Sequence, residues 1–344
     1  MAEDDCRGSD FLEWIGPDVS ACIFRRLDDP ADLVRSAAVS RSWLQFVLEK
    51  VGMSMCLQIR PEDANLAKAE EEEVSRSRPT AHAESSHGVE LKIRERDYRT
   101  YSYVDGALVP TTMPSVDCIL NCVGASSTDH FPEESIDNTL VPQDRHPWFD
   151  VWQDGPDVFV PSYWSSGGQD DPDAPESLTY RLISDMCIID EIRLRPFEAY
   201  IQPGNPIYSS KSVRFRLGRS KLPRGSEPFL NDENLMALAD ENYVWTYTSP
   251  EFPMLQENVL QPFKLPRPVL CGGVVKVELL GAVQKQAADD RYYICICYAQ
   301  VIGRSLWPIF MLDICDPVGY SVFKYLPGAK DLYGEDAKCH RIAG

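Results

Sequence analysis

The clearest fold signal in the chain is the stretch Val275-Lys276-Val277-Glu278-Leu279, in which apolar and charged side chains alternate. A period of two places one face of a β-strand on a core and the other face in water. The same alternation recurs at residues 178–182 and 213–217, whereas residues 292–301 are apolar on both faces, as in a central strand. Proline and glycine punctuate the intervals, for example at residues 202–206. Many short strands separated by turn residues predict a mainly antiparallel β-sandwich or barrel.

The first fifty residues carry a helical pattern instead. Pro17 suits the first turn of a helix, because the N–H that proline lacks has no intrahelical partner there. Val19, Ile23 and Leu27 follow at intervals of four, with Phe24 beside them. This spacing makes an apolar stripe and predicts a helix that begins at Pro17.

Two further helix starts follow in the same region. Asp29 and Pro30 match a helix cap followed by a first helical residue, and Ser40 matches the cap of a third helix. Leu33 and Trp43 supply apolar positions to these two helices. A unit of three short helices encloses little core and usually needs a partner, a metal or a disulfide to be stable. The apolar residues that such helices cannot bury predict a docking face.

The charge balance argues against nucleic acid as a partner. The 344 residues carry a formal net charge of −19, which repels a phosphate backbone. The first six residues are acidic rather than basic, so neither a secretory leader nor an Arg-rich transit peptide is expected. No run approaches the roughly 20 apolar residues that cross a bilayer. We therefore expect a protein of the cytoplasm or nucleus, or of both, with no membrane and no nucleic-acid partner.

Residue patterns that would indicate catalysis or metal binding are few. The eleven cysteines include no Cys-x-x-Cys pair, and the five histidines show no His-Glu-x-x-His spacing. Asp170, Asp171 and Asp173 are close in sequence but lack the glycine and glutamate of a calcium-binding loop. We therefore expect a non-catalytic protein with reduced thiols, no metal and no cofactor.

Composition divides the chain into four parts. Residues 10–50 form the helical module, and residues 51–88 form an acidic and polar linker that contains four consecutive glutamates. Such a composition buries too little apolar surface to offset the entropy of ordering. Residues 89–334 form the β-domain, and residues 335–344 form a tail. The expected fold class is therefore α+β and multidomain, with a small three-helix module followed by a mainly antiparallel β-sandwich.

The helical module resembles the F-box family. The resemblance rests on four segments in order: Ile15-Gly16-Pro17-Asp18-Val19, Ile23-Phe24-Arg25-Arg26-Leu27, Leu33, and Val39-Ser40-Arg41-Ser42-Trp43. Two positions depart from the family pattern, since Ile15-Gly16 replaces the usual Leu-Pro opening and Ser40 replaces a cysteine. The resemblance implies docking to a Skp-type adaptor and, through it, to a cullin scaffold. The implied adaptor-binding residues are Ile15, Pro17, Val19, Ile23, Phe24, Leu27, Leu33, Val39 and Trp43. The alternative is a helical cap on the β-domain.

The β-domain resembles the discoidin-type, galactose-binding-like jelly roll over a core of about residues 117–303. The matching segments, in order, are Ala125-Ser126-Ser127, Ser135-Ile136-Asp137-Asn138, Tyr163-Trp164-Ser165-Ser166, Ser177 to Leu182, Ile188 to Leu194, Phe263 to Pro266, Val274 to Leu280 and Ile294 to Gly303. An F-box followed by such a sandwich is similar to a plant-type F-box family.

Members of the sandwich family commonly bind ligands in loops at one end. By that analogy the candidate ligand-binding residues are Tyr163, Trp164, Ser165, Asp170 and Asn205. The alternative places Trp164 in the core and the Gly-Asp tract that follows it in a solvated turn.

The two resemblances together imply the substrate-recognition subunit of a Skp–cullin–F-box (SCF-type) ubiquitin ligase. The β-domain would bind a target protein or glycoprotein whose identity the sequence does not give. The alternative function is that of a carbohydrate-binding module, which reads glycans through the loops at the end of the sandwich.

Overall fold

A computed structural model gives the fold as two compact units, Met1–Thr112 and Met113–Gly344, which are described separately. The residues that the structure describes are 11–27, 30–52, 54–55, 115–142, 163–200, 202–221, 240–308, 310–314 and 321–325. Most of the predicted linker, the predicted tail and residues 89–114 of the predicted β-domain lie outside these ranges.

The described residues of the first unit, which lie between positions 11 and 55, are helical. Its elements are α1 (Phe11–Ile15), α2 (Pro17–Phe24), α3 (Pro30–Ala37), α4 (Arg41–Phe46) and a π-helical turn (Val47–Val51) that continues α4. Within the described residues of this unit, α1 is therefore a short helix in addition to the three that the sequence predicts.

The predicted helix starts agree with the structure where it describes them. Pro17 is the first residue of α2, and Pro30 is the first residue of α3. Ser40 caps α4, because its side-chain oxygen accepts the backbone N–H of Trp43 at 3.2 Å. The predicted cap Asp29 lies outside the described residues.

A small apolar core holds the helices together. Phe24 is buried, and its ring centroid lies 5.4 Å from those of Trp43 and Phe46. Val51 and Met55 are buried in the same core, and the described helical residues reach position 55. The helical segment thus continues past residue 50, where the sequence places its end, because apolar residues beyond that point pack inside.

The second unit is built from β-strands, and the described strand pairs are antiparallel. The strands are β1 (Val116–Asp117), β2 (Ile119–Ala125), β3 (Trp164–Ser165), β4 (Glu176–Leu182), β5 (Cys187–Glu198), β6 (Ile207–Tyr208), β7 (Ser210–Ser220), β8 (Tyr243–Thr248), β9 (Phe252–Pro253), β10 (Gln261–Cys271), β11 (Gly273–Ala282), β12 (Gln284–Lys285), β13 (Tyr292–Tyr293), β14 (Cys295–Ser305), β15 (Phe310–Ile314) and β16 (Ser321–Tyr325). Short 3₁₀ turns span Ile136–Leu140 and Asp240–Asn242.

The long strands form two sheets. One sheet has the order β1-β14-β5-β10, with β3 on β14 and β6 on β5, and the other has the order β2-β4-β11-β7-β8, with β9 on β7. Two separate hairpins pair β12 with β13 and β15 with β16. Most successive long strands lie in alternate sheets, as β4, β5 and β7 do and as β10, β11 and β14 do, which is the connectivity typical of jelly-roll sandwiches.

One core fills the space between the sheets. Across the second sheet, Val275 of β11 lies opposite Tyr180 of β4 and Leu217 of β7, and all three are fully buried. They belong to the same cluster as Ile192 of β5 and Val301 of β14 in the facing sheet. The predicted alternating stretches thus lie in β4, β7 and β11, and β14 is a central strand, so the predicted fold class is confirmed.

Because neighbouring strands run antiparallel, five of the connections between strands lie at the same end of this sandwich. These connections are residues 126–135, 163–175, 199–209, 249–260 and 283–294, and we call this set the loop end. Backbone hydrogen bonds join these connections to each other, from Val283 to Ser209, and to the end of β11, from Ala282 to Pro172.

Candidate functional site

The first candidate site is the outward face of α2. Successive helical residues are separated by about 100°, so Ser20, Ala21 and Phe24 share one side, and these three are buried. Val19 and Ile23 are four residues apart on an adjacent side of the helix and are exposed. Helix α2 is therefore apolar on both faces, although the unit buries only one of them.

Further apolar side chains of the helical unit are also exposed. Trp14 is 78% exposed, Val39 is 63%, Val19 is 53% and Ile23 is 45%. We call these four residues the exposed apolar set. Scattered exposed aliphatics are normal, but Val19 and Ile23 are neighbours on one side of α2 and together make an exposed apolar surface. Trp14 lies just before the first of the four segments that carry the family resemblance, so the resemblance does not single it out.

The structure places the nine predicted adaptor-binding residues in three environments. Pro17, Val19, Ile23 and Val39 are exposed, while Ile15, Leu27 and Trp43 are half-buried. Phe24 and Leu33 are each only 3% exposed and belong to the core of the unit. The side chains of these last two residues are already covered by the other helices of the unit.

The second candidate site is the loop end, which is organised by the buried carboxyl group of Glu176. The hydroxyl of Ser127 donates to this carboxyl group at 2.7 Å, the hydroxyl of Ser126 donates to it as well, and the side-chain amide of Gln169 donates to it at 3.2 Å. Each serine oxygen in turn accepts a backbone N–H, that of Ser177 or of Gly167, at 2.8 and 2.9 Å. The Ala125-Ser126-Ser127 segment therefore fastens the 163–171 loop to the start of β4.

The five predicted ligand-binding residues lie at this loop end but in different environments. Trp164 is fully buried and donates its indole N–H to the carbonyl oxygen of Ser127 at 3.0 Å, and Ser165 is buried as well. This burial favours the alternative that assigns Trp164 to the core, and it removes both side chains from direct contact with a ligand. Asp170 and Asn205 are exposed on separate loops. Asn205 adopts a left-handed turn conformation with φ of 46°.

Tyr163 is half-buried between two neighbours. Its ring stacks on that of Phe197 with centroids 3.8 Å apart, and its hydroxyl donates to the Glu134 carboxyl group at 2.9 Å. Burial, together with the nearby Glu134, raises the pKa of the Tyr163 hydroxyl well above its usual range. The hydroxyl therefore remains a hydrogen-bond donor at neutral pH.

A charged triad lies beside Tyr163. His130 Nδ1 is 3.0 Å from a carboxylate oxygen of Asp129 and 3.5 Å from one of Glu134. The Asp129 carboxylate, with further contributions from Glu134, raises the pKa of the exposed His130 imidazole. The sequence motifs for metal binding and catalysis did not reveal this group. Its three members are brought together by a turn and not by the regular spacing of a helix or a strand.

A polar and aromatic surface forms where β5 meets the 254–260 loop. Tyr200 is exposed, and its hydroxyl accepts the Asn258 side-chain N–H at 2.7 Å, while Arg195 donates to the Asn258 oxygen at 2.6 Å. The buried side chain of Gln261 bonds to the backbone of Leu255 through both its oxygen and its nitrogen, at 2.8 Å each. The loop is therefore held in one conformation while it presents exposed side chains.

Comparison with known proteins identifies the class to which this two-part architecture belongs. No family model matches the chain. The F-box protein At4g00755 of Arabidopsis thaliana is 42% identical to it over 325 residues, which cover 92% of this chain and 82% of that protein. The chain thus belongs to the F-box protein family. The resemblance of its helical module to that family is confirmed, and membership implies partnership with a Skp-type adaptor.

Solved structures give weaker likenesses to the β-sandwich. A carbohydrate-binding module, CBM32-3, from a family 31 glycoside hydrolase of Clostridium perfringens aligns with a TM-score of 0.33 and 11% identity over 56% of this chain and 95% of its own. A chitosan-binding module from a chitosanase/glucanase of Paenibacillus sp. IK-5 aligns with a TM-score of 0.31 and 12% identity over 54% and 98%. At TM-scores below 0.5, neither likeness carries an inference about what this chain binds.

Two further observations bear on function. Among the described residues, helices are too short or too polar to cross a membrane. F-box proteins are typically non-catalytic, and this chain belongs to that family.

Proposed function

We propose that this chain is the substrate-recognition subunit of an SCF-type ubiquitin ligase. Its helical unit docks a Skp-type adaptor, which links it to a cullin scaffold, and its β-sandwich binds the target. The observation that carries the proposal is the second apolar face of α2, where Val19 and Ile23 are exposed. The chain itself performs no covalent step, because its contribution is the proximity and orientation of the target.

Two members of the exposed apolar set, Val19 and Ile23, allow an estimate of the free energy that docking would gain. Fully burying a Val or Ile side chain contributes about 1.5–3 kcal/mol, and Val19 and Ile23 are about half buried already. Covering the rest of the two side chains therefore contributes roughly 2 kcal/mol together. Replacing them by aspartate removes this term and adds the cost of placing two charges in an apolar interface.

Binding of purified Skp-type adaptor to the full chain, measured by calorimetry, tests the docking claim. The variant Val19→Asp/Ile23→Asp should bind at least ~100-fold more weakly, which corresponds to about 3 kcal/mol. A matched control replaces two comparably exposed apolar residues of the β-sandwich, Val259→Asp/Val283→Asp, and should bind as the wild type does. Because both pairs are exposed, both variants should keep the wild-type circular dichroism spectrum. An unchanged affinity in the folded α2 variant would refute adaptor docking through this face.

The loop end is proposed as the target-binding surface. It is the part of the sandwich where exposed residues lie on loops fixed by buried anchors, Glu176 on one side and Gln261 on the other. Preorganised loops lose little conformational entropy when they bind. In this role the protein would act in the cytoplasm or nucleus, where its adaptor and cullin partners would be located.

The alternative target class is a glycan, and one observation favours it. The exposed ring of Tyr200 lies beside the hydrogen-bonded Asn258 and Arg195, and sugars bind surfaces that combine an aromatic face with fixed polar groups. A glycan array probed with the full chain and with Tyr200→Ala would separate the two classes. Binding of a glycan that Tyr200→Ala abolishes would assign a sugar ligand, and a blank array would leave a protein target.

A further inference from the structure

The turn that follows β2 brings three metal-ligating side chains to one point. Asp129, His130 and Glu134 each offer one ligand atom, and these atoms all lie within 4.8 Å of one another. The Nδ1 atom of His130 lies 3.0 Å from Asp129 Oδ2 and 3.5 Å from Glu134 Oε2. A zinc ion about 2.1 Å from each ligand atom separates neighbouring ligands by about 3.0–3.5 Å. Both distances from His130 Nδ1 already match that spacing, and the two carboxylate oxygens lie within 4.8 Å of each other.

The backbone, rather than the charges, sets this arrangement. The Asp129 N–H donates to the carbonyl oxygen of Ser165 at 3.1 Å, and the N–H of Ser165 donates to the carbonyl oxygen of Glu134 at 3.3 Å. The Glu134 N–H also donates to the carbonyl oxygen of His130 at 2.7 Å. Ser165 belongs to β3 and is buried against the core. The backbone at both acidic residues is therefore fixed by a single residue of the sandwich, Ser165.

A contact outside the triad orients one of the ligands. Tyr163 donates its hydroxyl to Glu134 Oε1, which leaves Oε2 directed at His130. Metal-ligating carboxylates are characteristically fixed by such an outer hydrogen bond. The Tyr163 ring is itself held by stacking on Phe197. The Glu134 side chain is consequently only 13% exposed, whereas that of His130 is 72% exposed.

We infer that Asp129, His130 and Glu134 form a zinc-binding site at the loop end of the sandwich. One imidazole with two carboxylates suits a first-row divalent ion better than calcium or magnesium, which prefer oxygen ligands alone. The exposed His130 side leaves the remaining coordination positions open to water or to a group of a bound target. Binding at this site would replace the repulsion between two fixed carboxylates by attraction to a shared cation. The inference does not depend on adaptor docking.

The competing account is that a protonated His130 forms two ion pairs and binds no metal. Zinc titration of the purified full chain against a chromophoric chelator distinguishes the two accounts. We expect one zinc ion per chain, with affinity reduced at least ten-fold in His130→Gln and in Asp129→Asn. The control Glu133→Gln removes a carboxylate from the same turn but outside the triad, and it should bind zinc within two-fold of wild type.

The eleven cysteines require that the ligand type be checked directly. X-ray absorption at the zinc edge, on the chain loaded with one equivalent, should show nitrogen and oxygen neighbours. Because Ser165 holds the turn through backbone atoms, the three variants should keep the wild-type melting temperature without metal. Sulfur neighbours, wild-type affinity in His130→Gln, an equal loss in Glu133→Gln, or failure to bind zinc would each overturn the inference.

Discussion

Replacement of Glu176 by alanine should destabilise the β-sandwich severely. The carboxyl group is buried and accepts three hydrogen bonds, from Ser126, Ser127 and Gln169. A side-chain hydrogen bond contributes about 1 kcal/mol net, or about 1.5–3 kcal/mol when one partner is charged. Part of the loss is recovered, because Ser126, Ser127 and Gln169 are half-buried and can turn their freed donors towards water. We expect a loss of about 3–5 kcal/mol in the free energy of unfolding.

The measurement is urea unfolding followed by near-UV circular dichroism, which reports the packing of buried aromatic residues such as Trp164. For a unit of this size, the same loss lowers the melting temperature by about 10 °C. A matched control is Glu251→Ala, since Glu251 is exposed and lies 3.9 Å from Arg214. An exposed pair contributes about 0–1 kcal/mol, so the control should unfold close to wild type. If Glu176→Ala has the same urea midpoint as the control Glu251→Ala, the buried carboxyl group does not anchor the loop end.

Two further outcomes follow from the packing. Gly303→Ala should cost about 3 kcal/mol or more, because the added Cβ would lie 2.1 Å from the carbonyl oxygen of Ile188 on the neighbouring strand; a soluble variant with the wild-type urea midpoint would contradict the register of β14 on β5. Thiol labelling of the native protein should modify the exposed Cys22 well before Cys295 and Cys297. Burial raises the pKa of the Cys297 thiol to about 12, and that of Cys295 further, so little reactive thiolate forms; fast labelling of either would show that β14 is not buried.

Features that depend on neighbouring residues in the chain are predictable from this sequence. The start of α2 is determined by the proline at position 17, and the cap of α4 is determined by the serine at position 40. Alternation along residues 275–279 likewise fixes which side chains of β11 lie inside. In each case the determining interaction spans four residues or fewer.

Which face of α2 is buried is not predictable in the same way. Val19, Ile23 and Phe24 form a continuous apolar surface in sequence, yet only Phe24 lies in the core. The choice is made by Trp43 and Phe46, which pack against the Phe24 ring from another helix. Hydrophobic periodicity shows which residues of a helix are apolar. It does not show which of two apolar faces is covered by an element that lies far away in the sequence.

The loop end shows the same limit for polar residues. Ser126 and Glu176 are 50 positions apart and meet because β2 pairs with β4. Asp129 and Glu134 are aligned by Ser165, which lies more than 30 positions further along the chain. Side chains that depend on such long-range pairing carry no local motif, so the sequence analysis could name the loop but not its anchoring residues.

Affinity purification of the tagged full chain from cells, followed by quantitative mass spectrometry, tests the central claim most directly. The account predicts that a Skp-type adaptor and a cullin co-purify with the wild-type chain and with Val259→Asp/Val283→Asp. Both should fall together by at least ten-fold in Val19→Asp/Ile23→Asp, while the yield of folded chain is unchanged. Equal recovery of adaptor and cullin with the α2 variant, or their absence from the wild-type sample, would contradict the proposed role as a ubiquitin-ligase receptor.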